Sequence, residues 1–142
     1  MEQMILPGVV ESLEELCDFL DRIAEKAGLD AKTLGKLHLA VDEMATNVVT
    51  HGYEEQGLTG DLIVSAEITP EALTVTLEDT SLPFDPRALE PPASLDQPLE
   101  ERPIGGLGIY LMRKSVDRYD YAYVDGKNRN VFVFNRPSPA ST

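Results

Sequence analysis

From Leu13 onward, apolar residues return at helical intervals. Leu13, Leu16, Cys17, Leu20, Ile23, Ala24 and Ala27 share one stripe, with charged residues between them. Ser12 and Glu15 have the spacing of a capping box, so the pattern predicts a helix that starts at Ser12 and stops at Gly28. A second stripe of Leu34, Leu37, Val41, Met44 and Val48 predicts a longer helix, opened by Asp30 or Thr33 and closed by Gly52. The period then drops to two. Leu62, Val64, Ala66 and Ile68 alternate as one strand, and Leu73, Val75 and Leu77 as the next, after a turn at Pro70 and Glu71. A short helix over Ile109–Val116 precedes a predicted hairpin of Tyr119–Val124 and Val131–Phe134 around a turn at Asp125–Asn128. Met4–Leu6 suits a short first strand. The stretch from about Pro83 to Arg102, rich in Pro and acidic residues, predicts a long loop of the kind that more often serves a function than not. Helices first and strands paired mostly as hairpins predict an α+β two-layer sandwich. Residues 1–136 form one domain in this reading, and 137–142 a frayed tail.

Composition narrows the picture. The chain has 142 residues, enough for one domain with a sizeable core, and its 42% hydrophobic content is ordinary for a globular protein. No apolar run approaches the ~20 residues of a membrane span, and the N-terminus lacks a basic-then-apolar leader, so a cytoplasmic location is expected. A single cysteine, Cys17, excludes an internal disulfide and suits buried packing. The net charge of −13 leaves no basic footprint for direct nucleic-acid binding. A polyphosphate approaching such a chain needs magnesium, backbone N–H groups or a few well-placed Arg and Lys.

Candidate chemistry begins on the second helix. Glu43 and Asn47 stand four residues apart, one above the other, so a carboxylate and an amide reach a common ligand. A carboxylate suits proton handling, and an amide oxygen suits a hard cation such as magnesium. Leu39, Ala40, Thr46 and Thr50 share that face, and no basic residue falls on the helix between Leu37 and Thr50, which points to a covered face. An exposed Glu and Asn have the same spacing. Asp79, at the end of a predicted strand in Glu78–Pro86, suits an acceptor for an amine; taken alone, a solvated turn Asp before Pro is the commoner case. The run Pro103–Ile109 places Gly105, Gly106 and Gly108 before a helix, where backbone can approach a phosphate or simply hinge. His51, one turn beyond Asn47, suits the dipole at a helix C-terminus or an approach to a phosphate, and His38 a structural place near the core stripe. Arg102, Arg113 and Lys114 are the basic groups near the glycine run, the latter two on a solvated helix face.

Taken in order, these three sites resemble the GHKL ATPase superfamily, which includes gyrase, the heat-shock chaperone, histidine kinases and mismatch-repair ATPases. The phrases VDEMATNVVTHGY, PFDP and GGLGIYLMRKSVDRYDY look like the stand-alone anti-sigma-factor serine/threonine kinases within it, and the resemblance covers roughly Leu13 to Phe134. It implies a mixed, mostly antiparallel sheet with helices packed on one face. It implies Glu43 as the general base that orients a protein hydroxyl, and Asn47 as the magnesium ligand. Asp79 accepts from the adenine amine, with Ser81 beside it in the nucleotide pocket. Gly105, Gly106, Leu107 and Gly108 meet the phosphates, and residues from Arg87 to about Leu107 form the ATP lid and its glycine end. ATP and Mg2+ are the implied cofactors. The implied partners are an anti-anti-sigma protein of the STAS type, a sigma factor, and a second copy in a homodimer, with no nucleic acid and no membrane.

The sequence departs from the family pattern at Ser81, where Gly usually stands two residues after the adenine-binding Asp. A serine there either hydrogen-bonds near the adenine, a role Thr80 also suits, or narrows the pocket. Two further readings stay open beside an active kinase. One is a module that binds nucleotide weakly and acts by sequestering a partner. The other is the ATPase part of a split histidine kinase, for which no histidine-bearing helix precedes the domain.

Overall fold

The computed structural model describes residues 1–88 and 106–136. Strand β1 (Glu2–Pro7) leads through a 3-10 turn (Val10–Ser12) into helices α1 (Leu13–Ala27) and α2 (Ala31–Asn47). Strands β2 (Asp61–Ile68) and β3 (Ala72–Asp79) follow, then α3 (Gly106–Ser115), β4 (Arg118–Val124) and β5 (Lys127–Asn135). The predicted loop beyond Ala88, Arg102, Gly105 and the tail from Pro137 lie outside the described residues.

The five strands run in the order β1-β2-β3-β5-β4, and every described pairing is antiparallel. Alternate residues therefore share a face. Leu62, Val64, Leu73, Val75, Leu77, Phe132 and Phe134 line the inner face and are buried. The helices cover them with Leu16, Phe19, Leu20, Ile23, Leu37, Val41 and Met44. The α+β two-layer sandwich expected from the sequence is the observed architecture, and its sheet is wholly antiparallel among the described residues rather than mixed.

Local chemistry explains the boundaries and their departures. Gly28 ends α1 with φ 69° and donates back to Ala24 and Glu25, as an αL cap requires. Asp30, not Thr33, caps α2 by accepting from the Thr33 N–H at 2.8 Å. Ser12 makes no side-chain cap, because the preceding 3-10 turn already holds it in helical φ/ψ; the expected capping box does not form. Cys17 is only half-buried, and Phe19 fills the core beside it. Ala40, assigned by spacing to the Glu43 face, is fully buried in the core. The hairpin turn is Asp125-Gly126, both with positive φ, so β5 starts at Lys127 and takes in residues assigned to the turn.

Two departures set up the site. Gly52 does not stop the second helix: the chain continues from Asn47 into a π-helical turn, Val48–Glu54. Its wider winding is marked by the bond from the Glu55 N–H to the Thr50 carbonyl, 2.9 Å. Helix α3 begins at Gly106, three residues before the expected Ile109, so part of the glycine run is itself helical.

Candidate functional site

Asp79 ends β3 on the inner face, where the core gives way to a cavity of about 290 Å³. Its carboxylate is buried, and its two oxygens have opposite fates. Oδ1 accepts three bonds: from the Ser81 N–H at 3.0 Å, the Ser81 hydroxyl at 2.5 Å and the Asn128 amide at 3.0 Å. Oδ2 is buried without a hydrogen-bond partner among the described residues. An unpaired buried acceptor costs about 1–3 kcal/mol, and on a side chain that lines a cavity it marks where a ligand donor fits.

Asn128 holds this arrangement in a fixed orientation. Its Oδ1 accepts from the Phe84 N–H at 3.0 Å and from the Tyr121 hydroxyl, which turns its amide towards Asp79 and the Leu82 carbonyl. Two positions on, Asn130 accepts from the Tyr119 hydroxyl. Burial pushes the Tyr119 phenol far above its ordinary range and raises Tyr121 as well, so both remain donors. These asparagines were not singled out in the sequence. Their signal was present: Asn128 and Asn130 continue inward the alternation that Phe132 and Phe134 begin, and an inward polar side chain requires a partner.

The π-helical turn closes the other side of the Asp79 segment. Gly52 packs against Ser81, where a Cβ would lie 2.8 Å from Oγ and 3.0 Å from the Ser81 Cβ. Tyr53 donates to the Asp61 carbonyl at 2.9 Å and accepts the Thr80 N–H at 2.8 Å. Thr80 points to Tyr53 and not to the carboxylate, so it does not share the role suggested for Ser81. Gly8 and Gly60 leave the room that the Tyr53 ring and hydroxyl occupy.

Glu43 and Asn47 face a second cavity of about 190 Å³, which Thr46, Thr50, His51 and Ile109 complete. Asn47 and His51 line both cavities and so join the Glu43 side to the Asp79 side. Helix α3 packs on the Glu43 face, which the lack of basic neighbours had marked as covered. Gly108 abuts the carboxylate so closely that a Cβ there would overlap Oε2. Burial, with Asp42 adding repulsion, pushes the Glu43 carboxyl above its ordinary range. His51 Nδ1 lies 2.6 Å from Glu55 one turn on, and His38 Nε2 2.7 Å from Asp21 on α1. Arg113 and Lys114 are exposed. Gly106 opens α3, and Gly105 falls outside the described residues.

The donor set fits a purine nucleotide with its metal. Asp79 carries an unpaired acceptor of the kind an amine meets, and the Asn47 amide oxygen is a ligand of the kind magnesium would take. Among the described residues no group of three or more His, Cys, Asp and Glu converges to hold an ion without such help. No described helix is long and apolar enough to cross a membrane.

A two-layer sandwich with a buried strand-end aspartate, a helix-borne Glu and Asn, and a glycine-led third helix defines the class. The chain belongs to the histidine kinase-like ATPase domain family, which matches it over residues 6–134. It is similar to the serine-protein kinase RsbW of Bacillus cereus strain B4264, 24% identical over 127 residues that span 87% of this chain and 78% of that protein. The RsbW proteins of Bacillus cereus strain G9842 and Bacillus thuringiensis subsp. konkukian strain 97-27 are similar to the same extent, also at 24%.

Proposed function

We propose that this protein is an ATP-dependent serine/threonine kinase that phosphorylates an anti-anti-sigma protein of the STAS type and exchanges it for a sigma factor. The observation that carries the reading is the orphan Oδ2 of Asp79, an acceptor for the adenine amine, in a cavity that shares Asn47 with the Glu43 cavity. Phosphoryl transfer needs positioning and charge neutralisation more than covalent help. Asn47 would hold magnesium, which supplies neutralisation of phosphate charge. Glu43 accepts the proton of the incoming serine or threonine hydroxyl, and its raised pKa makes it a better base when ionised. The glycine run from Gly105 to Gly108 offers backbone N–H groups to the phosphates. The likeness to the RsbW kinases supports the reading of the substrate as a protein serine.

Sequestration without chemistry drew its support from Ser81. The Ser81 hydroxyl is engaged by Asp79 Oδ1, and Oδ2 has no partner among the described residues, which supports nucleotide binding over sequestration alone. Calorimetric titration with ATP, with and without Mg2+, tests the site. We expect saturable magnesium-dependent binding that Asn47→Ala removes; no binding at millimolar ATP would refute the proposal. Glu43→Ala should bind nucleotide and fail to transfer phosphate to a STAS-type protein.

A further inference from the structure

His51 lines both cavities, yet the chemistry proposed above gives it no part. It belongs, with Asn47, to the junction between the Glu43 side and the Asp79 side. Among the described residues that line either cavity, it is the only side chain able to carry a positive charge. The other titratable groups there, Glu43 and Asp79, are acids, and the chain as a whole carries −13.

One nitrogen of the ring is already committed. Nδ1 lies 2.6 Å from the carboxylate of Glu55, which follows the π-helical turn and lines neither cavity. That leaves Nε2 as the ring nitrogen available to a ligand. A neutral ring with its proton on Nδ1 has only a lone pair at Nε2. An imidazolium donates from both nitrogens, so it gives Nδ1–H to Glu55 and Nε2–H to an anion. A nucleotide with its base at Asp79 and its terminal phosphate at Glu43 runs its phosphate chain past this junction. We infer that His51 is a phosphate-contacting residue of the nucleotide site, with Glu55 as the residue that positions its ring. The inference rests on the site proposed above and adds a side-chain cation to its magnesium and backbone donors.

The test is the affinity of the full chain for ADP with Mg2+ and for adenosine, in the wild type, His51→Gln and His51→Arg. A hydrogen bond between charged groups is worth about tenfold in binding. We expect His51→Gln to bind ADP about tenfold more weakly while binding adenosine as the wild type does. His51→Arg, which keeps a cationic donor, should retain most of the ADP affinity. A ring that only packs would weaken adenosine binding equally, or would leave arginine no better than glutamine. Either result overturns the inference, as does unchanged ADP binding in a folded His51→Gln, and all three leave the nucleotide site standing. His51→Ala gives the same readout if His51→Gln fails to fold. Failure of the wild type to bind ADP at millimolar concentration overturns the nucleotide site and this inference together.

Discussion

Gly52 and Ser81 are matched across the junction of the π-helical turn and the end of β3. A methyl group on Gly52 would lie 2.8 Å from the Ser81 Oγ and 3.0 Å from its Cβ, closer than packed atoms tolerate. The absence of a side chain at position 52 therefore gives the serine its seat. Gly52→Ala is expected to destabilise the fold by about 1–3 kcal/mol through overpacking, and Ser81→Gly to relieve most of that cost. A double-mutant cycle by urea unfolding measures the coupling; strictly additive effects would show that the two residues do not compete for the same space.

Tyr53, the next residue of the π-helical turn, supports the same segment at Thr80. Tyr53→Phe keeps the ring but removes the hydroxyl shared by the Asp61 carbonyl and the Thr80 N–H. The expected loss is about 1–2 kcal/mol in urea unfolding, together with weaker nucleotide binding as the Asp79–Ser81 turn loosens. An unchanged midpoint would assign the hydroxyl no part in holding that turn.

The sequence made the sandwich legible because its helices and strands carry clean periods, and Leu13–Ala27 and Leu62–Ile68 fall almost where those periods place them. It also led to Glu43, Asn47 and Asp79 through an ordered resemblance. The support around them was not legible. Gly52 looked like a helix stop, since a glycine after a stripe of apolar residues is ambiguous between a cap and a close contact, and the contact, Ser81, is 29 residues away. Asn128 was lost to a turn assigned two residues too long, which hid its pairing with Asp79 across β3 and β5.

Asn128→Ala removes one donor from Asp79 and strips two donors, the Phe84 N–H and the Tyr121 hydroxyl, of their acceptor. Asp79, Asn128 and Phe84 line the larger cavity. We expect a loss of about 2–3 kcal/mol in stability and a fall in nucleotide affinity, because Asp79 then keeps only the two Ser81 donors to orient it. Thermal unfolding with and without ADP checks both; a variant as stable as the wild type and binding equally would remove Asn128 from the site.

Glu43 sets stability against chemistry, and pH separates the two. Its folded-state pKa is raised, chiefly by burial, so the folded protein holds this proton more tightly than the unfolded chain does. Stability from this group is therefore complete below the ordinary carboxylate range and declines as pH rises through the raised folded value, above which the burial penalty is fully present. Glu43→Gln has no charge to bury. Its melting temperature should exceed that of the wild type at pH 7, and the difference should shrink as pH falls below the ordinary range of glutamate. Phosphate transfer should show the reverse preference: in the wild type it should rise with pH as Glu43 ionises, and in Glu43→Gln it should fall by about 10²–10⁴-fold at neutral pH with nucleotide affinity retained. A variant that gains no stability at pH 7 would show that the carboxylate is not held against its ionisation. One that transfers phosphate at the wild-type rate would show that another group accepts the proton.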